Sequence, residues 1–246
     1  MKENSGCLKL FVSWQQRNQI IESRILEHAG NASELQILEA GCGQRWEVKL
    51  TGVKYHLTGI DLDKAALDIR KDRANDLDEI IQGDLRTVDL KGRQFDVIYN
   101  SYVLEHVDGA EIVMKNFVRW MKPGGMLVLK IPDPKSVKGF FTRVTPHWFH
   151  VLYCKYVLGI KTAGQPGHMP YPTYFDPVVS REGVHRFCRD HHLSIIDEYG
   201  EGLTKPGHGI MQRALQVFVR TVELLSIGSL SAKHSNLYYV IRRDSV

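Results

Sequence analysis

The strongest constraint on the fold of this 246-residue chain is a Gly-x-Gly turn that directly follows an apolar run. The stretch reads Ile37-Leu38-Glu39-Ala40-Gly41-Cys42-Gly43-Gln44. Because glycine has no side chain, the backbone can reverse tightly here, and the next residues can present bare N–H groups to a ligand. Many Rossmann-like sheets open in this way, so the stretch predicts a buried strand followed by a ligand-binding turn.

Strands and helices alternate along most of the chain. Strands are predicted at residues 35–40, 55–60, 79–82, 95–100, 126–131, 193–199 and 237–242, and helices at 8–29, 64–75, 110–121, 181–191 and 210–227. This alternation predicts an α/β fold in three layers, α/β/α, with a Rossmann-like, doubly wound sheet. We expect seven strands, mostly parallel, with the last strand as an antiparallel edge.

One domain is expected over residues 1–246, because this length buries a full core. Within it we expect an N-terminal helical segment at 1–30, a cofactor-binding core at 31–134, an insertion at 135–179 and completing helices and strands at 180–246. The net charge of +4 permits anionic partners but is too small and too scattered for a dedicated nucleic-acid binder. The sequence contains no signal peptide pattern, spanning segment or CxxC pair, so we expect a cytoplasmic protein.

Three polar residues follow predicted strands at the edge where the Gly41–Gly43 turn lies. They are Asp61, Asp84 and Asn100. The carboxyl ends of parallel strands line one crevice, which is where such sheets bind ligands. Asp61 is placed to accept hydrogen bonds from ribose hydroxyls, and Asp84 from an adenine amino group. A dinucleotide fingerprint would need a third glycine where Trp46 stands, so a dehydrogenase is disfavoured.

The same residues belong to five ordered motifs, which resemble the class I S-adenosylmethionine-dependent methyltransferases, in their small-molecule branch. The motifs are Glu39-Ala-Gly41-Cys-Gly43, Gly59-Ile-Asp61-Leu-Asp63, Gly83-Asp84-Leu85, Phe95-Asp96-Val-Ile-Tyr-Asn100 and Leu104-Glu105-His106-Val107. The turn Lys122-Pro123-Gly124-Gly125 fits the same pattern. The resemblance covers about residues 35–134 and implies S-adenosylmethionine as cofactor, with S-adenosylhomocysteine as product.

The resemblance implies a role for each cofactor-site residue. Gly41 and Gly43 would admit the methionine part, Glu39 would hold its amino group, Asp61 would bind the ribose, Asp84 and Leu85 the adenine, and Asn100 would contribute its backbone near the reacting end, with Cys42 and Leu62 in the same site. Asp63 is expected to cap a helix, and Asp96 to be structural at the far end of its strand. Where relatives often have a third glycine, this chain has Arg45, which with Trp46 would crowd the turn.

His106 is the first candidate for a general base, because it follows the fourth predicted strand and its ordinary pKa suits proton removal near neutral pH. The alternative is that Glu105 and His106 only cap a turn. Some relatives, the ubiquinone-type O-methyltransferases, hold a metal near this pair. Tyr102 stands where a further carboxylate would help, so no metal is predicted.

The insertion at 135–179 is rich in aromatic residues, proline and glycine, and we expect it to form a lid over the substrate. His147, His150 and His168 are candidates for a second base, although each is more often structural. The same aromatic and basic residues also suit contact with a membrane surface, which would fit a lipid or polyisoprenoid acceptor.

The sequence therefore predicts methyl transfer to a small-molecule acceptor, with O-methylation favoured because a histidine base is most useful for a hydroxyl. Two alternatives stay open: a lipid or polyisoprenoid acceptor at a membrane, and a non-catalytic scaffold that keeps the cofactor fold. Nucleic acid is not expected as a substrate, because Asn100 is followed by Ser-Tyr-Val in place of an Asn-Pro-Pro-Tyr type motif.

Overall fold

A computed structural model describes residues 8–244, apart from 12, 31 and 203–209. Its strands form one sheet in the order β1-β7-β8-β6-β5-β2-β3-β4. They are β1 (Lys9–Phe11), β2 (Leu35–Ala40), β3 (Tyr55–Asp61), β4 (Glu79–Gln82), β5 (Phe95–Ser101), β6 (Met121–Pro132), β7 (Leu193–Gly202) and β8 (His234–Arg243). The α/β fold is confirmed, and β8 runs antiparallel to both of its neighbours as predicted for the last strand.

Helices cover both faces of this sheet. They are α1 (Trp14–Ala29), α2 (Lys64–Arg73), α3 (Ala110–Trp120), α4 (Val137–Val144), α5 (His147–Leu152), α6 (Arg181–Asp190) and α7 (Ile210–Leu225). Successive residues of a strand point to opposite faces. Ile37 of β2 therefore packs in the core beneath α1, while Leu38 packs in the core shared with α3 and α6. Ser180 caps α6. Asp63 caps α2, as predicted.

The structure corrects the start of the first helix. Residues 9–11, predicted as helix, form β1, which pairs in parallel with β7 and makes an eighth strand. Helix α1 begins only at Trp14, because the Ser13 hydroxyl accepts the Gln16 N–H and fixes the N-terminus there.

The last strand is predicted to be an edge strand, but in the structure it lies in the interior of the sheet. β8 lies between β6 and β7, and β1 and β4 form the edges of the sheet. Every residue from Leu237 to Ile241 is buried, which is what a strand covered on both faces and paired on both sides requires.

The predicted insertion has two parts of different structure. Residues 137–157, named the outer helices here, comprise α4, α5 and a π-helical turn at Tyr153–Val157. Residues 164–175, named the strap, contain no helix or strand. Among the described helices, none is long and apolar enough to cross a membrane.

Candidate active site

A cavity of about 410 Å³ lies at the carboxyl ends of β2, β3, β4 and β5. Five segments line it: the glycine turn (Gly41, Gly43), the residues after β3 (Asp61–Asp63), the residues after β4 (Gly83–Arg86), the residues after β5 (Ser101, Tyr102, Val103, His106, Val107) and the strap (Tyr171, Pro172, Tyr174). The crevice predicted from the strand ends is therefore present, and the strap covers part of it.

Seven of the predicted site residues come together in the wall of this cavity. They are Gly41, Gly43, Asp61, Leu62, Asp84, Leu85 and His106. Five others are not among the described residues that line it, namely Glu39, Cys42, Asn100, His147 and His150.

The glycine turn depends on its missing side chains. Gly41 has a φ of 76°, and a Cβ at this position would lie 2.2 Å from Val103 Cγ2. A side chain there would therefore clash as well as strain the backbone. The N–H groups within the turn itself, however, are not bare. The N–H groups of Gly41 and Cys42 both donate to Ile60 O, at 2.7 and 3.0 Å.

Asp61 connects the glycine turn to the segment that follows β3. One carboxylate oxygen accepts the Gly43 N–H at 2.8 Å, and the other accepts the Asp63 N–H at 2.9 Å. Burial raises the pKa of Asp61, and these two backbone hydrogen bonds act against that rise. The carboxylate is thus held rigidly at the cavity wall, with lone pairs left for a ligand.

Glu39 lies behind the glycine turn, where its carboxylate is 2.7 Å from the guanidinium of Arg70. The Arg70 side chain is fully buried and also donates to the Cys42 carbonyl at 2.6 Å. Burial raises the pKa of Glu39, against the attraction of the guanidinium. The pair supports the turn from within the protein.

Cys42 and Asn100 are buried next to the same turn. Cys42 is in contact with Gly59 and packs as a small apolar residue. The Asn100 amide donates to Ala40 O at 2.8 Å and so joins β5 to the end of β2. In contrast, Asp96 lies at the opposite end of β5 in an ion pair with Lys122, as predicted for a structural residue.

Asp84 forms an ion pair with Arg86, which no sequence motif indicated. The closest contact between the two side chains is 2.6 Å, and it lowers the pKa of Asp84. Both residues line the cavity. Within the described residues, the neighbouring Leu85 N–H has no hydrogen-bond acceptor, so it is available to a ligand.

His106 lies on a 3₁₀ turn, Leu104–His106, with its ring against the strap. Its Nδ1 is 2.6 Å from Pro172 O, and because a carbonyl only accepts, Nδ1 must carry the proton. In the neutral ring Nε2 then has a lone pair. Burial is the main cause that lowers the pKa of His106, and the hydrogen bond to Pro172 acts in the other direction. The ring is therefore neutral at pH 7.

Glu105 is buried and is not among the residues that line the cavity. Burial raises its pKa to about 8, and in the described residues its Oε2 has no hydrogen-bond partner. Its other oxygen is 3.9 Å from His106 Nε2. At neutral pH the carboxyl is therefore protonated and adds no negative charge beside His106.

The two histidines of the outer helices, His147 and His150, lie beside other residues of the same segment. The His150 Nε2 is 2.6 Å from the Thr145 hydroxyl, and the His147 ring is 6.4 Å from the His150 ring. Neither side chain lines the cavity, but His147 is near enough to His106 to help lower the pKa of that ring. Within the described part of the chain, no group of three or more His, Cys, Asp or Glu side chains is arranged to hold a metal ion.

The concern that Arg45 and Trp46 crowd the turn is not supported. The Arg45 side chain is 80% exposed and lies 3.6 Å from Glu47. Trp46 packs edge-on against Tyr99, in the core beneath α1. Neither residue is among those that line the cavity.

The strap is held across the cavity by polar contacts. The Gly167 N–H and the Tyr171 hydroxyl both donate to Asp63 Oδ2, at 3.0 and 3.3 Å. Gln44 donates to Gly167 O, and the Tyr174 N–H donates to Glu105 O at 2.8 Å. The strap thus joins the walls formed after β2, β3 and β5.

A family model described as a methyltransferase domain matches residues 38–129. A Mycolicibacterium smegmatis protein named as a probable S-adenosylmethionine-dependent methyltransferase is 30% identical over 122 residues, covering 49% of this chain and 46% of that protein. Residues 38–129 of this chain therefore form a methyltransferase domain. The cofactor that such a domain uses is S-adenosylmethionine.

More distant relatives of the methyltransferase domain agree in fold. A demethylmenaquinone methyltransferase of Staphylococcus aureus is 23% identical, covering 62% of this chain and 63% of that enzyme. The chain therefore spans less than two thirds of either relative. An S-adenosylmethionine-dependent methyltransferase from Methanosarcina mazei has a TM-score of 0.54 at 15% identity, covering 90% of this chain and 98% of that one. The [4+2]-cyclase SpnF has the same TM-score at 15% identity, covering 95% and 84%.

The residues of the methyltransferase domain fit this cofactor in size and chemistry. The cavity volume falls within the range of about 300–1,000 Å³ that ligand pockets occupy. Asp61 and Asp84 offer carboxylates at neighbouring strand ends, which suits hydroxyl and amino donors. Leu62 and Leu85 offer apolar surface beside them. Gly41 keeps the turn free of a side chain.

Sequence reasoning missed Arg70, Arg86 and Tyr171. Arg70 has the appearance of a solvent-facing helix residue, and only the buried carboxylate of Glu39 explains its position. Arg86 stands two residues after Asp84, a spacing that could have suggested the ion pair. Tyr171 lies in a segment without periodicity, so its contact with Asp63 had no signal in the sequence.

Proposed function

We propose that this chain transfers the methyl group of S-adenosylmethionine to a hydroxyl group of a small-molecule acceptor. The observation that carries the proposal is the composition of one cavity. Its wall has the glycine turn, Asp61 and Asp84 on the strand-end side, and the neutral ring of His106 beside the strap. A cofactor site and a candidate base thus share one cavity.

The cofactor half of the proposal assigns Asp61 to the ribose hydroxyls and Asp84 with the Leu85 N–H to the adenine. Leu62 would pack against the adenine ring, and Gly41 and Gly43 would admit the methionine part. Glu39, Cys42 and Asn100 are buried behind the turn and would act by positioning it. When bound, S-adenosylmethionine supplies a methyl group on a positively charged sulfur, which takes up the bonding electron pair.

The acceptor half of the proposal assigns proton removal to His106. Nε2 takes the hydroxyl proton as the acceptor oxygen forms its bond to the methyl carbon, while Pro172 O holds Nδ1–H and fixes the ring. A low pKa keeps the ring neutral and able to accept this proton at neutral pH. Alignment of the acceptor in the cavity supplies most of the remaining rate.

A lipid or polyisoprenoid acceptor is the second candidate. Exposed aromatic and basic side chains on the outer helices favour it, because such residues suit the interface of a membrane. The Staphylococcus aureus relative is named for demethylmenaquinone, and this name also supports the second candidate.

The first test is calorimetric titration of S-adenosylmethionine and S-adenosylhomocysteine into the wild type, Asp61→Asn and Asp96→Asn. Each carboxylate lies near one end of a strand and accepts a backbone N–H, but Asp96 is at the end of the sheet opposite the cavity. Losing a charged hydrogen bond costs about 1.5–3 kcal/mol, so we expect affinity to fall about 10- to 100-fold in Asp61→Asn only.

Equal loss in both variants would mean that the carboxylates act on the fold and not on the ligand. Absence of binding to the wild type would support the scaffold alternative. Where binding is present, S-adenosylhomocysteine formation with phenolic, glycosyl and lipid hydroxyl acceptors then distinguishes the two acceptor classes.

A further inference from the structure

The outer helices and the end of α7 expose an unusual amount of apolar surface. Fourteen of the 22 large hydrophobic side chains that are exposed in the described residues lie in residues 141–158 and 217–227. Trp148, Tyr156 and Leu225 are 62%, 73% and 78% exposed. Soluble proteins rarely leave a patch of this kind uncovered, so it indicates a surface that meets a partner.

The two segments are in contact. Phe141 of α4 packs against Phe218 of α7, with the ring centroids 5.7 Å apart. Phe218 is itself half exposed, so α7 continues the apolar surface. Trp148 and Phe149 continue the aromatic surface on α5, with ring centroids 6.1 Å apart.

The charge of this region identifies the partner. Residues 134–175 contain no Asp or Glu but five basic residues, which are Lys135, Lys138, Arg143, Lys155 and Lys161. These five charges exceed the +4 of the whole chain, so the rest of the chain is slightly acidic. Among the described residues, Lys138, Arg143, Lys155 and Lys161 make no ion pair. Their charges are available to an anionic surface.

Aromatic residues mixed with lysine are typical of the boundary between lipid and water. The Lys155 ammonium lies 6.0 Å above the Tyr156 ring, and both side chains are exposed. Tyrosine and tryptophan place an apolar body among acyl chains and a polar group at the headgroups, while lysine contacts lipid phosphates. The absence of any acidic side chain over about 40 residues favours an anionic lipid surface over a protein partner.

We propose that the outer helices, together with α7, form a docking surface for an anionic phospholipid membrane. The surface lies next to the cavity, because the strap begins against it: a Cβ on Gly164 would be 3.0 Å from Val151 of α5. Docking therefore brings the strap side of the cavity to the lipid surface. The proposal rests on exposure and charge and holds for either class of acceptor.

The test is sedimentation of the full chain with vesicles of phosphatidylcholine, with and without about one third phosphatidylglycerol. We expect binding to the anionic vesicles that weakens as salt is raised. Each basic residue near such a surface contributes several-fold in affinity, so the double variant Arg143→Glu/Lys155→Glu should bind about 30-fold more weakly or worse. The matched control is Lys71→Glu/Arg73→Glu, which makes the same change of charge on exposed residues of α2.

A second pair of variants tests the apolar side chains. Trp148→Ser/Tyr156→Ser should lower binding, whereas Ile112→Ser, an exposed apolar residue on α3, should not. Thermal unfolding of each variant verifies that the fold is intact. The proposal is overturned if the wild type ignores anionic vesicles, or if the α2 control loses as much binding. It is also overturned if light scattering reveals a dimer that the same variants abolish, since a second copy would then cover the surface.

Discussion

The strap and the outer helices belong to one continuous insertion, yet they make opposite kinds of contact. The strap turns polar groups inward and binds to Asp63, Glu105 and His106, which belong to the cavity wall or its supports. The outer helices turn aromatic and basic side chains outward, and Trp148 and Tyr156 touch no part of the cavity. A segment whose composition suggests a single lid therefore contains two surfaces that make different contacts.

The difference shows that two neighbouring parts of one insertion can be held in place by different interactions. Hydrogen bonds to the segments that follow β3 and β5 hold the strap, because its backbone lies close to them. The outer helices satisfy their backbone groups internally, so their side chains are free to serve another surface. The histidines follow this division: His106 meets the strap, and His147 and His150 lie on the outer helices.

The largest effect should come from His106. We expect His106→Ala to lower the rate of methyl transfer about 10²- to 10⁴-fold, the usual contribution of a general base, while S-adenosylhomocysteine still binds. Because burial lowers the pKa of His106, the wild-type rate should rise with pH below 6.5 and stay level above neutral pH. Single-turnover rates across this pH range, with the best acceptor from the hydroxyl panel, provide the measurement.

His147→Ala and His150→Ala are the matched controls for His106, since both replace a histidine of the outer helices. Each should change the rate by less than about 3-fold, because neither histidine is assigned to proton transfer. A large loss in either variant would mean that the outer helices enter the active site and that the division between the two surfaces is wrong.

Much of the methyltransferase domain could be predicted from the sequence, because its motifs report local constraints. A positive φ at Gly41 requires glycine, and the Asp63 carboxylate caps α2 through two N–H groups one turn ahead. Short apolar runs that alternate with helices identified the interior strands. Such features depend on neighbours within a few residues, which a single sequence contains.

The features that sequence reasoning missed depend on distant partners. Strand β1 has three residues and pairs with β7, about 190 positions away, so neither its length nor its pattern identified it. The interior position of β8 follows from its pairing with β6 and β7 together. Arg70 is polar and helical, and only its pairing with Glu39 explains its burial.

Glu105 should give the next largest effect, on stability. Its pKa rises from 4.5 to about 8 in the fold, so between these values the unfolded chain has lost a proton that the native protein keeps. Stability must then fall as pH rises from about 5 to 8. Glu105→Gln removes this ionisation, and we expect a gain of about 2–4 kcal/mol at pH 8 with little change at pH 5.

Urea unfolding at the two pH values measures this gain, and Glu182→Gln is the control, because that carboxylate is exposed in the first turn of α6. The result bears on the strap, since the Glu105 backbone carbonyl accepts the Tyr174 N–H. A stability profile that is flat in the wild type would show that water or a partner reaches the Glu105 carboxyl.

The smallest effect compares one glycine from each part of the insertion. Gly167 of the strap and Gly159, just after the outer helices, have φ values of 77° and 70°. A Cβ on Gly167 would lie 3.1 Å from the backbone of Ala65 and Ala66, whereas a Cβ on Gly159 would meet nothing within 4 Å. Both alanine variants bear the backbone strain, about 1 kcal/mol, and Gly167→Ala should lose about 1–2 kcal/mol more through this crowding. Urea unfolding gives both losses, and titration with S-adenosylhomocysteine should show weaker binding for Gly167→Ala alone, because its strap can no longer lie against α2. Equal losses, with unchanged binding, would mean that the strap is no more tightly held than the outer helices, and the contrast between the two surfaces would fail.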